Sequence, residues 1–200
     1  MIKSFSLVFL LSFAFGFSQE AWVLKKSEDS IEVYTRSVPD SKLKEYKAVS
    51  TINTSINNIL HELLTAPKYN DTCKAGISYY VKMLGKNQHV FYAYKDLPWP
   101  VRDRDVVTLI TVEKLSHSKY KLTIEGLPEG IPEREKTIRI KNLMGYWLLE
   151  QKADQETMVT QQLFLNPEGS LPAFVINSLL VKGPFKTFQD LRRNSKNYGR

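Results

Sequence analysis

The chain is poor in the residues that build metal and redox sites, with one cysteine, Cys73, and three histidines, His61, His89 and His117. A single cysteine excludes an intramolecular disulfide, and without histidine neighbours it cannot assemble a zinc site. Cys73 reads as a small apolar core residue. The histidines fall in a helical segment, at a strand start and at a turn tip, spacings that suit neither a metal centre nor a nucleophile triad. No metal and no cofactor are expected. Also missing are internal repeats, low-complexity tracts and any apolar run of the roughly 20 residues that a membrane-spanning helix needs. With 42% hydrophobic and 24% charged residues the composition is that of a folded domain, not a disordered chain.

The longest apolar run, Phe5 to Phe17, follows Lys3 and ends at Gly16-Phe17-Ser18. At about 13 residues it fits the core of a secretory signal, and small residues three and one positions before the Ser18–Gln19 bond suit signal peptidase. The absence of a cysteine after that bond argues against a lipoprotein. The expectation is a leader over 1–18, one domain over 19–200, and an exported, periplasmic or extracellular protein. The formal net charge is +7, scattered except for Arg192, Arg193, Lys196 and Arg200 near the C-terminus. Nucleic acid is an odd partner for an exported protein, whereas an anionic membrane surface attracts such a chain modestly and transiently. A monomer is expected.

Ile31 to Arg36 alternates and reads as a strand, and Leu43 to Ile52 reads as a second one, the two forming an opening hairpin. Thr54 or Ser55 caps a helix whose apolar positions Ile56, Ile59, Leu60, Leu63 and Leu64 keep helical spacing up to Pro67. Strands then follow at 77–84, 89–95, 105–114, 120–125, 136–141, 146–150 and 158–165, separated at hairpin distances, which predicts an antiparallel meander of about nine strands in all. Pro172 opens a long final helix running to about Asn194. On a wheel of 100° per residue, Phe174, Ile176, Leu180, Val181, Phe185, Phe188 and Leu191 share its apolar face, with Asn177 in the middle. Asn177 bonds to nearby backbone or to a ligand. Gly183-Pro184 curves the helix or hinges it.

Two segments carry the functional signal. Pro98-Trp99-Pro100-Val101-Arg102-Asp103-Arg104-Asp105 feeds four consecutive charges into the apolar strand Val106 to Val112. Charges at the mouth of a buried strand need partners or a task. On an extended strand Arg102 and Arg104 point one way and Asp103 and Asp105 the other. They either tie the 95–101 loop to its neighbours or grip a phosphate or carboxylate headgroup. The second segment, Gly126 to Glu133, interleaves glycine and proline with Leu127 and Ile131, a make that suits a lid over a pocket or an ordinary packed loop.

Hairpin, helix, long meander and long final helix, together with Ser30 to Arg36, the Pro98 to Asp105 motif, Gly145-Tyr146-Trp147 and Asn166-Pro167-Glu168-Gly169-Ser170-Leu171-Pro172, resemble the START family of lipid-transfer domains from Trp22 to about Arg193. The resemblance implies an α+β helix-grip fold, a curved antiparallel sheet closed by the C-terminal helix around a hydrophobic tunnel for one lipid. It places the lid at Leu127 and Ile131 and the roof at Asn177, Val181 and Phe185. Sterol-binding members carry an acid and a base facing the cavity, where this chain has Phe91 and Ile110. That points to a more apolar ligand, or one anchored by Asn, Thr or Tyr. The ligand-contacting candidates are Phe91, Tyr92, Trp99, Arg104, Ile110, Asn177, Val181 and Phe185. Helix-grip relatives include cyclases, so proton-transfer chemistry among Tyr79, Tyr80, Tyr92 and Tyr94 is the rival to non-enzymatic lipid carriage.

Overall fold

The computed structural model describes residues 21–39, 41–67 and 76–196. The expected leader, Cys73 and Arg200 lie outside the described residues. Strands β1 (Val23–Glu28), β2 (Ile31–Ser37) and β3 (Lys44–Ile52) precede helix α1 (Ile56–Leu64). Then come β4 (Ser78–Gly85), β5 (Gln88–Lys95), β6 (Asp103–Ser116), β7 (Lys119–Gly126), β8 (Thr137–Arg139), β9 (Leu143–Ala153) and β10 (Glu156–Leu165). All ten belong to one open sheet ordered β1-β2-β3-β10-β9-β7-β6-β5-β4, with β8 beside β6. This is the helix-grip architecture the sequence implies. Two strands depart from expectation: β1 was not foreseen, and β8 pairs parallel to β6 rather than extending the meander.

Ser55 caps α1, its hydroxyl accepting from the Asn58 N–H. Ile56 and Ile59 are buried, and Leu60, Leu63 and Leu64 pack against the same core. That core is the inner face of the sheet. Tyr46 and Ala48 of β3, Val159 of β10, Trp147 and Leu149 of β9 and Leu122 and Ile124 of β7 meet there. A smaller cluster on the outer face joins Tyr79, Val90, Tyr92 and Val107.

The final helix is not one continuous α-helix. It runs as α2 (Ala173–Asn177), a π-helical turn over Ser178–Lys182, and α3 (Gly183–Asn194). The Gly183 N–H reaches back five residues to the Ser178 carbonyl. Pro184 explains the widening, because it offers no N–H and its ring would strike the Leu180 carbonyl of a regular α-turn. A wheel of constant pitch loses its phase through such a turn. Accordingly Phe174 (62% exposed) and Ile176 (39%) leave the predicted apolar face, while Val175 (1%) enters it. Val181, Phe185, Phe188 and Leu191 stay inside.

Candidate ligand-binding site

The helix settles on only part of the sheet it covers. The π turn and α3 pack on β2 and β3, and the Phe188 ring stacks on Trp147 at 5.5 Å. Beside that contact lies a cavity of about 370 Å³. Its walls come from Tyr46, Ala93, Val106, Ile140, Leu143, Leu163 and Leu165 of the sheet side and from Ser178, Leu179, Gly183, Pro184 and Thr187 of the helix. Ile77 and Leu97 stand at its rim with Gly76 and Ser78, and Tyr94, Lys95, Asp105 and the predicted Arg104 complete the lining. A second cleft of about 430 Å³ lies between Lys42–Lys44, the 167–171 loop and Ile176, Leu179 and Leu180. Leu165 and Leu179 line both spaces and form the partition. Volumes of this size match those of small-ligand sites.

One register row explains the shape of the floor. Tyr46 on β3 faces Leu163 on β10, which faces Gly145 on β9, then Ile124 on β7 and Ile110 on β6. Gly145 is the row's only residue without a side chain. A Cβ there would sit 2.2 Å from the Gln162 carbonyl oxygen and 2.8 Å from Leu163 Cδ1, so only glycine lets the strands close up at this point.

The four charges of the 98–105 motif act as latches. Arg102 Nη2 donates to the Thr137 carbonyl at 3.2 Å. Asp103 accepts from the Leu97 N–H at 3.0 Å and from the Tyr94 hydroxyl, fixing the 96–102 loop. Arg104, buried at 5% exposure, donates from Nε to the Pro167 carbonyl at 3.1 Å, from Nη2 to the Glu168 carbonyl at 3.0 Å, and from Nη1 to the Arg102 carbonyl. It thereby holds the Asn166–Gly169 turn that leads into the final helix. Asp105 takes Arg139 Nε at 2.8 Å and Nη2 at 3.0 Å, with both side chains 1% exposed. Arg139 continues to the carbonyls of Pro128, Ile131 and Pro132, fastening the 127–133 segment. Burial works against its charge, yet the bond to Asp105 raises its pKa on balance. Burial lowers that of Arg104, which has no carboxylate on its guanidinium. Between the two roles open to the motif, these bonds match the tying of loops.

The candidates scatter in an orderly way. Phe91 and Ile110 lie on inner-face positions, Phe91 opposite Thr108 and Ile110 opposite Ile124, and the Phe91 ring meets Tyr80 edge-on at 5.4 Å. Tyr92 points the other way, into the outer cluster, where burial pushes its phenol up to about 12. Leu127 and Ile131 pack on that same outer cluster, so the proposed lid sits away from the cavity rim. The segment beside the rim is the 96–102 loop, through Leu97. Its Trp99 is 92% exposed and follows no wall of the cavity. Asn177 is exposed and lines, with Val181, a groove of about 280 Å³ bordered by Lys25, Thr35 and Lys44. Phe185 is core, its ring capped by Lys26 Nζ at 4.0 Å. The roof is therefore the Ser178, Leu179, Gly183, Pro184 and Thr187 face, turned from the predicted one. Sequence reasoning missed Arg139, although an arginine between Ile138 and Ile140 opposite a strand carrying two aspartates was the available signal. It also missed Tyr46, for which no local signal exists. Among the described residues no group of three or more His, Cys, Asp or Glu is placed to hold a metal ion.

Comparison with known proteins agrees with this geometry. The START domain family model matches residues 14–200. An uncharacterised protein of Pseudomonas aeruginosa is 34% identical over 178 residues, covering 86% of each chain. The bovine phosphatidylcholine transfer protein is 22% identical over 185 residues, 90% of this chain and 87% of its own. Among solved structures, a STAR-related lipid transfer protein fragment from Xanthomonas axonopodis superposes with a TM-score of 0.75 at 29% identity, covering 88% of this chain and 98% of that one. Human StAR-related lipid transfer protein 5 shares the fold, with a TM-score of 0.71 at 12% identity. From its motif, its sheet order and these matches, the chain belongs to the START domain family.

Proposed function

We propose that the protein is an exported, non-enzymatic lipid carrier that encloses one hydrophobic ligand in the cavity between the inner face of the sheet and the π turn of the final helix. The observation that carries this reading is the cavity itself, walled by Val106, Ile140, Leu143, Leu163, Leu165 and Leu179. Burying a sixteen-carbon chain at about 0.8 kcal/mol per methylene offers roughly 12 kcal/mol, against about 1 kcal/mol for a neutral hydrogen bond. Affinity then comes from the wall and selectivity from the few polar groups. Export is supported by the Lys3, Phe5–Phe17 and Gly16-Phe17-Ser18 pattern.

Loading takes place at the rim, on the side lined by Ile77, Leu97 and Pro184. Trp99 stands fully exposed on the same loop as Leu97, a position that lets an amphipathic ring enter a lipid interface while the rim opens. The chain acts as a monomer in transient contact with a membrane. The test is transfer of fluorescent lipids between donor and acceptor vesicles by the mature protein. Stoichiometric transfer supports the reading, and vesicles that exchange no faster with protein than without it refute it.

A further inference from the structure

The most buried hydroxyl of the cavity lining is left unused by its own fold. Tyr46 is 5% exposed, lines the cavity wall, and makes no hydrogen bond among the described residues, while burial alone raises its phenol pKa. The hydroxyl opens on the cavity, so a ligand that fills this space and strips water from it must supply its partner, since buried hydroxyls are ordinarily paired. Its neighbours Leu163 and Leu165 offer none. The second orphan on this face is also uncharged: Gln161 Oε1 is buried without a partner, and Gln161 stands opposite Ala48, one diagonal step from Tyr46.

The charged groups of the lining are committed or peripheral. Asp105 is held by Arg139, Arg104 by three carbonyls, and Lys95 is exposed. An ionised phosphate or carboxylate seated beside Tyr46 would find no free cationic donor, because Arg104 spends Nε, Nη1 and Nη2 on carbonyls and Lys95 stands at the exposed edge, and burying it so would cost several kcal/mol. We infer that the Tyr46 hydroxyl is the polar anchor of the cavity, and that the ligand group it meets is neutral, an ester or ketone carbonyl or a hydroxyl. This rests on the lipid-carrier reading and names the class of its cargo.

The experiment compares wild type with Tyr46→Phe, which removes only the hydroxyl. Methyl palmitate and hexadecane, delivered from cyclodextrin, compete against a pyrene-labelled probe, and the melting temperature of the ligand-free protein is measured alongside. The expected result is a fall of about five- to tenfold in methyl palmitate affinity, the loss of one neutral hydrogen bond. Hexadecane affinity stays unchanged, and the ligand-free variant melts no lower than wild type. Equal losses for both lipids, or none for the ester, would overturn the anchor. So would a lower melting temperature, which would show that the hydroxyl pairs within the protein, for instance with Gln161. If wild type takes up neither lipid, the carrier reading itself fails and takes the anchor with it.

Discussion

Removing Asp105 tests how the outer face is held. Asp105→Leu strips the carboxylate from Arg139 while both side chains are about as buried as this protein allows, at 1% exposure each. An uncompensated buried charge of this kind costs about 3–5 kcal/mol. That is a large share of the roughly 5–15 kcal/mol that keeps a domain folded. With a urea slope of about 1–3 kcal/mol per molar, the unfolding midpoint falls by at least about 1 M. Asp105→Leu with Arg139→Met recovers part of this, because no charge remains buried. It does not recover all, since the part-buried Pro128, Ile131 and Pro132 carbonyls lose the donor that fastens their segment and turn to water instead. The assay is urea unfolding of wild type, both single variants and the double variant as a double-mutant cycle. A single-variant loss below about 1 kcal/mol, or additive singles, would refute the assignment of this pair as a structural latch.

Further outcomes follow from the same geometry. Leu179→Ala removes part of the wall between the two cavities, so the variant accepts bulkier two-chain lipids than wild type in the competition assay, at a stability loss of about 2–3 kcal/mol. Trp99→Ser leaves the urea midpoint unchanged, because the ring touches so little, but slows transfer from vesicles; equal transfer rates would remove Trp99 from the membrane contact. Alkaline titration followed at 295 nm shows Tyr92 and Tyr94 ionising near 12, Tyr92 through burial and Tyr94 through its bond to Asp103. Their folded values lie above the ordinary phenol value of about 10, so the stability they contribute is complete below pH 10 and is lost as pH rises toward 12. Tyrosines that all titrate together without unfolding would contradict this.

Much of the fold could be read from residue patterns because burial imposes them. Alternation marks β2, whose Ile31, Val33 and Thr35 face the core, continuous apolar runs mark β5 and β6 because a core lies on each of their faces, and the Ser55 cap with its 56–59–60–63–64 stripe marks α1. Strand β1 escaped notice because Val23, Leu24 and Lys25 are all exposed at the sheet edge, where no periodicity is required. Loop docking was illegible for a different reason. Leu127 and Ile131 are apolar in either setting, and whether they cover the inner or outer face depends on which face of β5 carries Tyr92. That parity is fixed by pairing across strands and not by local sequence. The π turn displaced the predicted roof through one proline whose effect on phase is tertiary in size. Tyr46, between Glu45 and Lys47, looks like one more residue of a polar strand until β10 is laid beside it.

The central claim is that a lipid occupies the space under the π turn, and Ala93→Trp tests it by filling that space from the floor. Native mass spectrometry of the wild type after incubation with lipid vesicles should give a one-to-one complex with a hydrophobic ligand, and the folded Ala93→Trp variant should give the bare protein. A wild type that stays bare, or a tryptophan variant that retains the same ligand, would contradict the account.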